Sequence, residues 1–251
     1  MINLRKLLRP RAWLPLAALA ASISMGGQAW AAACAVASIA TYTAAGFSCT
    51  IDDKTFFGFT DTLTAGGGAS AGAVGITLTP ITTVLNPGFN TTLSGFSVGA
   101  GQSLDLKLAF NVAVNPGGNL IEDVSLGIAG AQNSGTGLVS IGENVCVGGT
   151  FANPIAGTNC STGNSPPNNI SLNVQNPGPP PVFFDLKLTA LTNGVGVFKD
   201  VSITGGALGS ASLSSFSQQF SETAVPEPAS LAIFGAALAG LGLIRRRRKN
   251  A

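Results

Sequence analysis

Hydrophobic and polar residues alternate repeatedly along the middle of the chain. The longest run covers residues 104–114, where every second residue is a large apolar one. Alternation with a period of two places one set of side chains on a core and the other in water, as in a half-buried β-strand. The same pattern recurs at four other places: Val74, Ile76 and Leu78; Val124, Leu126 and Ile128; Ile170, Leu172 and Val174; and Phe184, Leu186 and Leu188.

Turn sequences separate these runs, among them Asn86-Pro87-Gly88, Asn115-Pro116-Gly117 and Asn193-Gly194. Asn-Gly supplies the positive φ values that a tight hairpin needs. Short strands at this spacing, without amphipathic helices between them, predict an all-β fold. We expect an antiparallel β-sandwich, jelly-roll-like, over residues 32–216. A short linker is expected at residues 217–224.

The N-terminal end has a different pattern. Four basic residues precede an uncharged, largely apolar stretch at 12–25, and Ala29-Trp30-Ala31 follows it. This order predicts a signal peptide over residues 1–31, cut by signal peptidase after Ala31, with Ala29 and Ala31 as the small residues of the cleavage site. The alternative is a lipoprotein whose first mature residue is Cys34, but the Leu usual three residues earlier is replaced by Ala31.

The C-terminal end predicts a membrane anchor. Residues 229–244 carry no charge and, as a helix, would rise about 24 Å, somewhat less than a bilayer core of roughly 30 Å. A basic block that would stop transfer across the membrane follows: Arg245, Arg246, Arg247, Arg248 and Lys249. We therefore expect a single transmembrane helix, since a buried helix of a soluble domain would not end in this block. By the positive-inside rule, both basic clusters stay in the cytoplasm and the body is exported.

The motif Pro226-Glu227-Pro228, the apolar run and the basic end together resemble the sorting tail of PEP-CTERM proteins. The resemblance covers residues 225–251 and implies processing at Pro226, Glu227 and Pro228 by exosortase, a membrane enzyme. It further implies an inner-membrane-anchored precursor that is later found at the cell surface or outside the cell. In a Gram-negative bacterium, the setting implied is an exopolysaccharide or biofilm matrix.

Charge in the body differs in sign from that of the whole chain. Between the two ends, four lysines stand against ten acidic residues, which gives a net charge of −6, whereas the whole chain carries +2. A body with a net negative charge has no electrostatic basis for binding nucleic acid. The basic residues of the tail are therefore interpreted as membrane-topology signals.

Four cysteines lie in the body and support export to an oxidising compartment. They form two local groups, Cys34 with Cys49 and Cys146 with Cys160, and the second group spans a Gly- and Asn-rich segment. Four cysteines allow three pairings, and the local one is favoured here. A metal site is disfavoured because the chain has no histidine and no C-x-x-C motif.

The absence of histidine also excludes Ser-His-Asp and Cys-His catalysis. Carboxylate chemistry remains: Asp52, Asp53, Glu122, Asp123, Glu143, Asp185 and Asp200 are the acids considered for a glycosidase pair. Four of them, Asp52, Asp53, Glu122 and Asp123, are also the weak candidates for a calcium site, because calcium prefers oxygen ligands. Glycan binding is a further alternative, although both tryptophans, Trp13 and Trp30, lie in the signal peptide.

These observations lead to one functional prediction and two alternative hypotheses. We expect an exported, exosortase-processed surface or matrix protein with a structural or adhesive role and no catalytic activity. No cofactor is expected, unless calcium is bound. A glycan- or calcium-binding module is the second hypothesis, and a carboxylate-based hydrolase is the third.

Overall fold

The computed structural model describes residues 31–176 and 183–223. Within these ranges, strands dominate, with one short α-helix, α1 (Ile39–Tyr42), and two 3-10 turns at Ala71–Ala73 and Pro154–Ala156. The strands, in chain order, are β1 (Ala32–Ala33), β2 (Ala37–Ser38), β3 (Ser48–Ile51), β4 (Lys54–Gly66), β5 (Gly75–Ile81), β6 (Gly88–Ser94), β7 (Ser97–Val98), β8 (Ser103–Val114), β9 (Leu120–Ala129), β10 (Gln132–Ser134), β11 (Leu138–Val147), β12 (Phe151–Asn153), β13 (Thr158–Cys160), β14 (Asn169–Asn176), β15 (Phe183–Thr192), β16 (Gly194–Thr204), β17 (Ser210–Ser212) and β18 (Ser215–Thr223).

Two large sheets form the body. Sheet A has the order β1-β3-β4-β8-β16-β11-β14, and sheet B has the order β15-β9-β18-β6-β5-β2. Neighbouring strands are antiparallel except for the short pair β1 and β3. The predicted all-β fold with antiparallel sheets in a β-sandwich is therefore confirmed. A jelly roll has eight strands and these sheets have seven and six, so that finer assignment stays a prediction.

The alternation along residues 104–114 is the clearest link between sequence and fold. Leu104, Leu106, Leu108, Phe110 and Val112 of β8 are all buried in the core. The intervening charged and amide side chains lie half-exposed on the outer side of sheet A. Because β8 pairs with β4 on one side and β16 on the other, its apolar residues occupy the middle of the sheet.

Aromatic rings from both sheets meet in the core. The ring centroids of Phe56 on sheet A and Phe89 on sheet B lie 4.9 Å apart in an edge-to-face arrangement. Phe110 of sheet A and Phe220 of sheet B meet in the same way at 6.4 Å. Such pairs add to the free energy gained from burial alone, so this cluster holds the two sheets face to face.

Both predicted disulfides are present. Cys34 and Cys49 join the N-terminal segment to β3, and Cys146 and Cys160 join β11 to β13. The second bridge holds the flap, which we define as residues 148–163, against the outer side of sheet A. There, Ala109, Phe151 and Phe198 form a small second core with the two cysteines. A Cβ at Gly157 would lie 2.4 Å from a ring carbon of Phe198, so this close contact requires glycine.

Two predictions fail in the described residues. Residues 217–223 were expected to form a linker, but they belong to β18, a strand paired on both sides and buried at every second residue. Phe184 was expected on the core side of its strand, as Phe110 is, but it is 42% exposed because β15 lies at the edge of sheet B.

Several predicted features lie outside the described residues. They are nearly the whole signal peptide including Ala29, the processing motif Pro226-Glu227-Pro228, the apolar run at 229–244 and the basic end at 245–249. Within 31–176 and 183–223, no helix has the length and apolar character needed to span a bilayer.

Candidate functional site

The end of the body's last described strand is anchored by an ion pair and, at the next residue, a hydrogen bond. Glu222, near the end of β18, contacts the ammonium group of Lys54 at 2.7 Å. Thr223, the next residue, hydrogen-bonds to the carboxylate of Glu122, which also pairs with Lys187. The contacts with Lys187 and Thr223 lower the pKa of Glu122. The folded body is thus secured up to the residue before the C-terminal segment.

Lys54 is completely buried where sheet A faces sheet B. Its ammonium group contacts Asp53 and Glu222 and donates to the backbone oxygen of Asn119 at 2.7 Å. Burial raises the pKa of Glu222, whereas the contact with Lys54 opposes that rise. Asp53 is fixed in turn, because its other oxygen accepts the backbone N–H of Asn119.

This arrangement changes the interpretation of the calcium candidates. Asp52 and Asp53 lie together, as their sequence positions imply, but the third carboxylate beside them is Glu222, which the sequence analysis did not consider. Glu122 and Asp123 make other contacts: Glu122 pairs with Lys187, and Asp123 accepts the backbone N–H of Ser221 at 3.2 Å. The carboxylates of Asp53 and Glu222 already have a cation, the Lys54 ammonium group. The cluster is therefore explained as an internal ion-pair network.

The outer side of sheet A carries a group of polar side chains from four neighbouring strands. We call the outward-facing side chains of β8, β16, β11 and β14 the polar face; they include Asp105, Asp200, Asn144 and Asn173. The flap covers one end of this face. Glu143 precedes Asn144 on β11 but points to the opposite side, into the core.

Two aspartates of the polar face lie next to each other. Asp200 pairs across the strands with Lys107, and Asp105 pairs with Ser202, so the two acids are diagonal neighbours on β8 and β16. Burial, followed by the hydrogen bond and the charge of Asp200, raises the pKa of Asp105 to about 6, while Lys107 acts in the opposite direction. A proton shared between two carboxyl groups explains the closeness of like charges.

The contact between Asp105 and Asp200 bears on the hydrolase hypothesis. A glycosidase needs two carboxyl groups about 5–9.5 Å apart, with space for the sugar or for water between them. A proton shared between Asp105 and Asp200 would require their carboxyl groups to lie closer together than this. Sequence analysis singled out Asp200 but not Asp105, because only the strand register shows that the two are neighbours.

A groove of about 300 Å³ crosses the polar face next to Gly142. Gly142 pairs with Asp200 on one side and Asn173 on the other, so its missing side chain opens the space between them. A Cβ at this position would meet Asp200 only at an ordinary distance of 3.9 Å. Polar groups line the groove, and Asn144 is held in place by a 2.6 Å hydrogen bond from Ser171.

Comparison with known proteins identifies the C-terminal segment. Residues 224–249 match the PEP-CTERM protein-sorting motif. The chain therefore carries the sorting signal that the sequence analysis inferred from resemblance. The motif marks an exported protein that is sorted through the membrane by exosortase. No curated protein matches the chain.

Two solved structures are distantly similar to the body. TmCBM61, in complex with beta-1,4-galactotriose, is 14% identical over 63% of this chain and 86% of that chain, with a TM-score of 0.30. The enzymatically active domain of bacteriophage CBA120 tailspike protein 4 is 15% identical over 67% of this chain and 19% of that chain, with a TM-score of 0.23. Neither likeness is strong enough to support a functional conclusion.

The buried pair of Lys54 and Glu222 can be tested against an exposed one. We expect Lys54→Met to destabilise the body by roughly 3–5 kcal/mol, because it leaves a buried carboxylate without its cation. Lys187→Met is the matched control: the Lys187 side chain is 75% exposed, and its loss should change stability little. Urea unfolding of both variants measures the difference. Equal effects would contradict the structural role assigned to Lys54.

The raised pKa of Asp105 predicts a pH dependence. The unfolded chain loses this proton near pH 4 and the folded one near pH 6, so ionisation destabilises the fold progressively as the pH rises through this window. Asp105→Asn should therefore stabilise the body at pH 7 by on the order of 1 kcal/mol after solvent screening, or roughly 2–4 °C in melting temperature. The gain should vanish near pH 4. Thermal melts at both pH values measure it, and an equal gain at both would refute this assignment.

Proposed function

We propose that this protein is an exported surface or extracellular-matrix β-sandwich with a structural or adhesive role in an exopolysaccharide or biofilm matrix. The observation that carries the proposal is the sorting motif at 224–249, which begins directly after β18 ends at Thr223. A membrane-anchored precursor is part of the proposal, followed by release of the body. No enzymatic turnover is assigned to the body.

The construction of the body supports a role outside the cell. Two disulfides cross-link it, as is usual for proteins of oxidising compartments. The core is continuous between the sheets, and β18 is fixed by Lys54 up to the residue before Thr223. A cut within the Pro226-Glu227-Pro228 region would therefore leave every described strand intact.

Processing can be tested by mass spectrometry of the native protein. We expect the mature C-terminus to fall between Pro226 and Ala229. A triple variant, Pro226→Ala with Glu227→Ala and Pro228→Ala, should keep Ala251 and remain in the membrane fraction. Asn250→Ala, a change in the same tail but outside the motif, is the matched control and should be processed normally.

The matrix role needs a separate measurement. A deletion strain should form a less cohesive biofilm, and the wild-type gene should restore cohesion while the triple variant should not. Unchanged cohesion in the deletion strain, when the parent strain processes the protein correctly, would reject the matrix role alone. An intact Ala251 in the wild-type protein of envelope and medium would reject the processing step.

Glycan binding at the polar face is the second candidate function. The groove at Gly142 favours it, because amide, hydroxyl and carboxyl groups from three neighbouring strands converge there around an open space. Such convergent donors and acceptors suit a sugar ring. Calcium could support such binding, although the cluster at Asp52 and Asp53 already contains Lys54.

A substitution that fills the groove tests whether glycans bind there. We expect Gly142→Leu to abolish binding on a glycan array, since the new side chain occupies the groove without a backbone clash. Gly72→Leu, at an exposed turn with open space around it, is the matched control and should bind as the wild type does. Repeating the array with EDTA separates a calcium-dependent site from a calcium-independent one. Binding that survives Gly142→Leu would reject this groove.

A further inference from the structure

A second buried lysine lies between the sheets, away from the acid cluster of Lys54. Lys199 on β16 and Glu143 on β11 are directly opposite each other in sheet A, and Gln218 reaches them from β18 of sheet B. Each of the three residues is no more than 2% exposed. An amine, a carboxyl group and a carboxamide are thereby enclosed together in an apolar interior.

The contacts between these groups are direct. The Lys199 Nζ donates to Glu143 Oε2 at 2.6 Å and also contacts Gln218 Oε1. The carbon atom of the amide is bonded to that oxygen, so the amine lies beside an electrophilic carbon. Glu143 Oε1 is buried and has no hydrogen-bond partner among the described residues, which leaves it available for a proton.

The environment favours the reactive forms of both ionisable groups. Burial lowers the pKa of Lys199, and the contact with Glu143 only partly opposes this. Burial also raises the pKa of Glu143, with Lys199 and Gln218 acting in the opposite direction. An uncharged amine is a nucleophile, and a protonated carboxyl group beside it can donate a proton. The ring of Phe216, 5.8 Å from Nζ, forms part of the apolar wall.

We propose that Lys199 and Gln218 form an intramolecular amide bond, with Glu143 transferring the protons. The lone pair of Nζ attacks the side-chain carbonyl carbon of Gln218, a new N–C bond forms, and the carbonyl electrons move to the oxygen. Glu143 takes a proton from Nζ and supplies one to the departing amide nitrogen. The C–N bond of the original carboxamide breaks, ammonia leaves, and the carbonyl re-forms. No oxidant, reductant or metal is needed.

The bond would link sheet A to sheet B. It would join β16 to β18, the strand that leads to the sorting motif at 224–249. The link would give the C-terminal strand a covalent connection to the sheet on the opposite side of the core. The inference does not depend on the proposed matrix role, because it concerns only the interior of the folded body.

Lys54 provides an internal comparison. It is equally buried and also contacts a carboxylate on β18, but among the described residues its hydrogen-bond and ion-pair partners are Asp53, Glu222 and the backbone oxygen of Asn119, and none of these is a side-chain carboxamide. Ammonia can leave only from a carboxamide, so this pair should release none. A Lys54→Arg variant therefore keeps the Lys199 chemistry intact and serves as the matched control.

Intact-mass spectrometry of the purified, disulfide-bonded protein tests the proposal. We expect the wild type and Lys54→Arg to be lighter by one molecule of ammonia than the mass calculated for their sequences with both disulfides formed. Lys199→Arg, Glu143→Met and Gln218→Met should each show that calculated mass. A wild-type protein at the calculated mass would overturn the proposal without any variant.

Peptide mapping identifies the linked residues. Chymotrypsin cuts after Phe216 and Phe220, and we expect the short peptide that contains Gln218 to be recovered joined to the one that contains Lys199. Asn193-Gly194 could lose ammonia by cyclising, and that loss would persist in Lys199→Arg. An equal ammonia loss in the wild type and in Lys199→Arg, or only linear peptides from the wild type, would reject the bond. Formation of the bond between Lys199 and Gln218 in Glu143→Met would reject the role of Glu143.

Discussion

The two buried lysines restrict how the sheets can face each other. Lys54 and Lys199 both project from sheet A into the core, and each meets a side chain of β18 on sheet B. A buried charge without a partner destabilises a protein by several kcal/mol, on the order of 3–5. A slip of β18 by one residue would turn Gln218 and Glu222 outward and leave both lysines without these partners. The same slip would turn Phe216 and Phe220 outward, so the apolar and the polar contacts of β18 favour the same register.

Local patterns in the sequence predict the parts of the fold that depend on local chemistry. The alternation at 104–114 predicts β8 and its buried face, and the spacing of the cysteines predicts the two bridges. The linker prediction fails because β18 has apolar residues only at Phe216 and Phe220, with Gln218 and Glu222 completing the inward side. Its pattern is therefore that of a polar segment. The partners that satisfy those two residues come from distant parts of the chain.

The candidate sites depend on contacts that no single segment encodes. The local sequence at Asp52, Asp53 and Lys54 indicates a charged turn. Only the fold brings Glu222 next to these residues and buries the lysine. The closeness of Asp105 and Asp200 depends on the register of β8 with β16. Phe184 is a different case. It lies in a strand, as the alternation predicts, but that strand is at the edge of sheet B, so the side chain is exposed. Strand order is set by long-range pairing, which alternation does not specify.

The small number of lysine and arginine residues in the body affects its resistance to proteolysis outside the cell. Residues 32–225 contain no arginine, and two of the four lysines are sealed in the core. Proteases of trypsin specificity require a lysine or arginine in an accessible, extended segment. They would find only Lys107 and Lys187, both within paired strands rather than at the loop tips where nicking concentrates. The small number of lysine and arginine residues, which makes the body acidic, would thus also make it resistant to secreted proteases of trypsin specificity.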